Sequence, residues 1–172
     1  MKRLLLVVLA LSSPVATAVA SKPVREYRLK LFNTHSLERL DVVYRDENEY
    51  DSEALAKLDR FLRDSRAGTV KPYDRKLFDL LADLMVQMNQ HGKELHVICG
   101  YRTPESNAGL RRLSSKVAKA SLHMQAEAID IRVPGVRTAR LRDTALSLAR
   151  GGVGYYAKSD FVHVDIGRVR RW

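Results

Sequence analysis

The chain has 172 residues, 45% of them apolar and 29% charged, with no low-complexity run and no internal repeat. That is one domain by length, with enough apolar surface to bury a sizeable core. A single cysteine, Cys99, excludes an internal disulfide framework, so stability comes from the core or from a bound metal. The formal net charge of +10 suits a polyanionic partner, whether cell wall, membrane surface, acidic polysaccharide or nucleic acid, without choosing among them.

Residues 1–20 stand apart from the domain. Lys2 and Arg3 give a positive start, "LLLVVLAL" an apolar run, and Ala18 to Ala20 the small residues of a cleavage site. This is the pattern of a secretory signal peptide, too short in its apolar part to span a bilayer. The mature chain, residues 21–172, then carries 28 basic and 20 acidic residues, a net +8, once Lys2 and Arg3 are gone. No cysteine follows the cleavage point to carry a lipid. A soluble, exported, periplasmic monomer with no membrane span after cleavage is the expectation.

Residues 26–45 read as a hairpin: Tyr27, Leu29 and Leu31 alternate, "NTHS" supplies turn formers, and "LDVVY" resumes the extended pattern. Asp51 or Ser52 opens a helix with Leu55, Leu58 and Leu62 on one face, ending near Gly68. Pro72 and Asp74 open a second, with Leu77, Leu81, Leu84 and Met88 at helical spacing and Gly92 at its end. Such a stripe means core packing. "ELHVICGYR" is a strand running into a turn, and the polar residues 103–122 read as a long loop with one helical turn at most. "AEAIDIRV" puts Ile129, Ile131 and Val133 on one face of a strand and Asp130 on the other. Thr138 caps a third helix that ends at Gly151 and Gly152, and two strands, "VGYY" and "FVHVDI", flank a turn at "AKSD". Helices and strands mix without regular βαβ alternation, which predicts α+β: a small, mainly antiparallel sheet flanked by helices.

"SLHMQAEAID" places His123 and Asp130 seven residues apart. On one helix they would be about 10 Å apart along the axis, too far for two ligands of one metal. With His123 at the end of a loop and Asp130 on the following strand, the chain can fold back and join them. A catalytic zinc takes three protein ligands and leaves a fourth position open, and His163 in "DFVHVD" is the best third. On spacing alone a His and an Asp at this separation are more often coincidence than site. His35, His91 and His96 have no such company, and His91, beside a helix end, and His96, in a strand, read as structural.

The stretch Ser121–Asp130 resembles the S-x-H-x-x-G-x-A-x-D signature of the zinc D-alanyl-D-alanine peptidases, whose fold is shared with the hedgehog signalling domain. "GYRT" at 100–103 resembles the arginine turn that precedes the signature, and "GYYAKSDFVHVDIGRVRRW" resembles the C-terminal end of the exported murein endopeptidases of the MepK group. The resemblance covers essentially the whole mature chain. It implies one zinc ion on His123, Asp130 and His163, with Arg102 steadying the substrate carbonyl oxygen or a nearby carboxylate, and Ser121 bonding substrate. For the general base it leaves two candidates. Asp160 stands where relatives carry the Glu of E-x-x-H, and is preferred; Asp165 shares a strand face with His163. The partner implied is peptidoglycan, cut at a peptide cross-link, diaminopimelate to diaminopimelate ahead of D-alanine to diaminopimelate. A D-alanyl-D-alanine-type carboxypeptidase and a non-catalytic wall-binding module of the same fold are the alternatives. No interleaving of aromatic and basic residues supports nucleic acid. One departure stands out: Ala126 occupies the signature's glycine position.

Overall fold

The computed structural model describes residues 25–115 and 117–172. The expected signal peptide and its cleavage site lie outside the described residues.

A seven-stranded mixed sheet forms the centre, in the order β2-β1-β3-β4-β6-β5-β7. Its strands are β1 (Tyr27–Asn33), β2 (Arg39–Arg45), β3 (Glu94–Cys99), β4 (Ala128–Arg132), β5 (Gly152–Tyr156), β6 (Phe161–Asp165) and β7 (Arg170–Arg171). Pairing is antiparallel except for β1 with β3 and β5 with β7. The α+β architecture with a mostly antiparallel sheet is as expected. Alternation decides which face is dry. Leu29 and Leu31, Leu95 and Val97, Ile129 and Ile131, and Val162 and Val164 are all buried in one cluster.

Helices α1 (Ser52–Phe61), α2 (Arg75–Gln87) and α4 (Thr138–Leu148) pack against these strands. Asp51 caps α1 by accepting from the backbone N–H of Glu53 and Ala54, and Asp74 caps α2 through Lys76 N–H. Leu77, Leu81, Leu84 and Met88 are fully buried, as their spacing predicts.

Five local expectations differ from the structure. α2 ends at Gln87 with Met88 as cap, short of Gly92, and the short strand β7 is an addition to the expected ones. α1 ends at Phe61 with Leu62 as cap, well before Gly68. The expected loop after residue 103 holds a ten-residue helix, α3 (Pro104–Leu113), capped by Thr103 accepting from Ser106 N–H. Thr138 does not cap α4, whose N-cap is Arg137 with no side-chain bond; its hydroxyl donates to Asp160 instead.

The candidate metal centre

The register of the sheet assembles the site. Asp130 on β4 lies directly opposite His163 on β6, with Cys99 of β3 beyond Asp130 and Gly154 of β5 beyond His163. This row is on the face opposite Ile129 and Ile131, because side chains alternate along a strand. His123 comes from a 3-10 turn, Leu122–Gln125, that precedes β4.

The three donor atoms form a tight triangle. His123 Nε2 is 3.3 Å from Asp130 Oδ1 and 3.1 Å from His163 Nδ1, and His163 Nδ1 is 2.9 Å from Asp130 Oδ1. Donors about 2 Å from a tetrahedral ion would be about 3.4 Å apart, so a small expansion admits one. The other ring nitrogens are engaged: His123 Nδ1 donates to the Gly100 carbonyl at 2.8 Å, and His163 Nε2 lies 3.0 Å from Asp165 Oδ2. In a neutral ring each bond favours the tautomer with its lone pair on the inward nitrogen, the usual outer support of a metal-binding histidine. Cys99 also stands near, its sulfur within 4.8 Å of donor atoms of His123 and Asp130. The triangle with His163 has all three edges at 3.3 Å or less.

His123 is buried, and burial opposes its charged form. The adjacent Asp130 carboxylate more than compensates, with help from Cys99, raising its pKa to about 10. Asp130 is affected oppositely: burial would raise it, yet His123 and His163 hold it well below the usual carboxylate range.

The turn that carries His123 is pinned to the segment after β3. Arg102 N–H donates to the His123 carbonyl at 3.2 Å, answering the ring's bond to Gly100. Ser121 Oγ accepts from His123 N–H at 3.4 Å and from Arg102 Nη2 at 3.3 Å, so it caps the turn and holds the arginine. Arg102 Nε is buried without a partner. Gly100 has no room for a side chain: a Cβ there would sit 2.6 Å from the Leu62 carbonyl oxygen. Ala126 ends the turn in the left-handed region at φ 58°, wholly buried. A positive φ there is what a glycine would favour.

The two candidate base carboxylates have different surroundings. Asp165 is fully buried beneath His163 and accepts from Gly152 N–H, Gly167 N–H and both terminal nitrogens of Arg170. Asp160, at φ 51° in the turn before β6, is exposed and bonded to Thr138 and Arg132. Neither lines the cleft of about 330 Å³ that opens over the donors. That cleft is lined by Arg102, Ser121, His123, Asp130 and His163, and walled by Tyr156, Phe161, Arg170 and Trp172. The sequence reading missed this second group, since only β5–β6–β7 pairing brings it to the site.

The family model for the peptidoglycan L,D-endopeptidase MepK matches residues 19–172. The chain belongs to this peptidase family. Among curated relatives, the peptidoglycan L,D-endopeptidase MepK of Escherichia coli (strain K12) is 41% identical over 157 residues, spanning 91% of this chain and 85% of the relative. The Shigella flexneri protein of the same name matches equally. The probable peptidoglycan L,D-endopeptidase MepK of Haemophilus influenzae is 40% identical over 140 residues, spanning 81% of this chain and 75% of its own. No solved structure matches. Among the described residues, no helix is long and apolar enough to cross a membrane.

Proposed function

We propose that this chain is an exported zinc-dependent peptidoglycan hydrolase that cuts peptide cross-links of the cell wall, with the bond between two diaminopimelate residues preferred. The observation that carries this reading is the His123–Asp130–His163 triangle, with edges of 2.9–3.3 Å and both rings held by outer acceptors. Two neutral imidazoles and one carboxylate suit zinc, and the ion would bind through His123 Nε2, Asp130 Oδ1 and His163 Nδ1. Zinc held there would polarise the scissile carbonyl and lower the pKa of a water towards neutrality.

The protein's own groups supply the rest. Arg102, which lines the cleft and is held by Ser121, stabilises negative charge on the carbonyl oxygen or binds a substrate carboxylate. Asp165 acts as a positioning residue through His163. The proton of the attacking water is assigned to Asp160, which stands beside the cleft residues Ser159 and Phe161 and is held deprotonated chiefly by Thr138. For this its side chain must swing off Thr138 and Arg132. Hydrolysis then joins the water oxygen to the carbonyl carbon, breaks the C–N bond and delivers a proton to the leaving amine.

Digestion of purified sacculi by the mature protein, with the products identified by mass, tests the reading. Loss of diaminopimelate-linked dimers with matching monomers is the expected result. Release of terminal D-alanine with dimers intact would make the chain a carboxypeptidase, and no product at all would overturn hydrolysis.

A further inference from the structure

The row across the sheet at the metal donors runs Cys99, Asp130, His163, Gly154, and its fourth place has no side chain. Trp172 fills it. A Cβ on Gly154 would lie 2.6–2.8 Å from three atoms of the indole ring, so glycine is what lets the ring lie on the strand. The indole is held from several sides. Its backbone N–H donates to Val153 at 3.2 Å and its carbonyl accepts from Tyr155 at 3.0 Å. Nε1 donates to the Tyr156 hydroxyl at 2.9 Å, and the Arg170 guanidinium stands 4.8 Å from the ring. The ring centre is 5.1 Å from that of His163.

A large aromatic fixed this firmly still has 50% of its surface exposed, and it lines the cleft. The neighbouring Tyr156 and Phe161 rings are stacked at 4.5 Å and continue the wall. A rigid apolar face costs little entropy to use in binding, because it is already ordered. Beside it, Arg170 is committed to Asp165 through both terminal nitrogens, so this wall presents apolar surface to the cleft. Such a face fits a residue with a run of methylenes.

We propose that Trp172 is a specificity-determining residue: its exposed indole face packs against the aliphatic chain of the cross-linking diamino acid next to the scissile bond. This rests on the hydrolase reading above. Gly154 is its positioning partner, acting only by leaving room for the ring.

Trp172 is the only tryptophan in the chain, so intrinsic fluorescence reports on it alone. A soluble cross-linked muropeptide dimer, titrated into chelator-treated full-length protein, is expected to give a saturable change in emission. Trp172→Ala should raise KM for the dimer about tenfold, far more than it lowers kcat, and Trp172→Phe should recover most of that loss. Gly154→Ala, which displaces the ring without touching substrate, should reproduce the rise in KM. Unchanged emission at dimer concentrations that saturate turnover, or an unchanged KM in Trp172→Ala, would overturn the proposal. If the wild-type protein cleaves no cross-link, the hydrolase reading fails, and the emission titration still decides whether the dimer meets Trp172.

Discussion

His123 has to give up a proton before it can hold a metal. Asp130 raises its pKa from 6.5 to about 10 against the opposing effect of burial, so near neutrality the metal-free ring is an imidazolium paired with a carboxylate. That pair's contribution to stability is fully present below the unfolded pKa of 6.5 and is lost as pH rises through about 10. Zinc bound at Nε2 would displace that proton, so uptake at pH 7 should release about one proton and weaken as pH falls. Calorimetry in buffers of different ionisation enthalpy measures this, and uptake without proton release would contradict the pairing. The two acids divide by the same logic. Asp160→Ala should keep zinc and lose turnover by about a hundredfold, as for a base. Asp165→Ala should lose zinc affinity by about ten- to a hundredfold, as for an outer support. Ala126 sits in the left-handed region, where glycine relieves about 1 kcal/mol, but its buried methyl is worth about 0.8 kcal/mol. Denaturant unfolding of Ala126→Gly should therefore show a net change under about 1 kcal/mol with zinc retained. A large loss would mean that the methyl, not the backbone, sets this turn.

At the scale of elements, the segment 100–103 is what joins β3, the His123 turn and α3. Asp64 holds it from below, accepting from Thr103 N–H at 2.8 Å, Thr103 Oγ1 at 3.0 Å and Arg66 N–H at 2.9 Å. Burial would raise its pKa, but hydrogen bonds from Ser106, Thr103 and Arg66 prevail and bring it to about 2. Its stabilising contribution is complete above about pH 4 and is lost as pH falls through about 2. Asp64→Asn should remove that acid-side dependence and lower kcat by loosening Arg102, which thermal melts and turnover against pH would record. Unaltered acid stability would show that Asp64 does not anchor the segment. α3 was hidden in the sequence for a physical reason: only Asn107 of its residues is buried, so no apolar stripe marks it. Its signals were the cap Thr103 and Pro104 in the first turn, which hydrophobic periodicity does not register. α2 was legible because its stripe and its cap Asp74 agree.

For the molecule as a whole, six of the seven strands were readable from alternation; the two-residue β7 was not, and neither was the strand order. The parallel pairings of β1 with β3 and of β5 with β7 join segments that carry no local mark of each other. The same holds at the site. Asp130 and His163 were named as donors from residue type and a family resemblance, whereas the register that sets them opposite one another, and the wall of Trp172 beyond, come only from the assembled sheet. Since the proposed donors lie on β4, β6 and the turn before β4, an ion there would tie the centre of the sheet to its covering loop. The most direct test is the zinc content of the purified chain by elemental analysis, beside that of His123→Ala, Asp130→Ala and His163→Ala. One zinc per wild-type chain, and a small fraction of that in each folded variant, is the result expected. A wild-type protein that binds no zinc even on titration, or a His163→Ala variant that keeps a full equivalent, would contradict it.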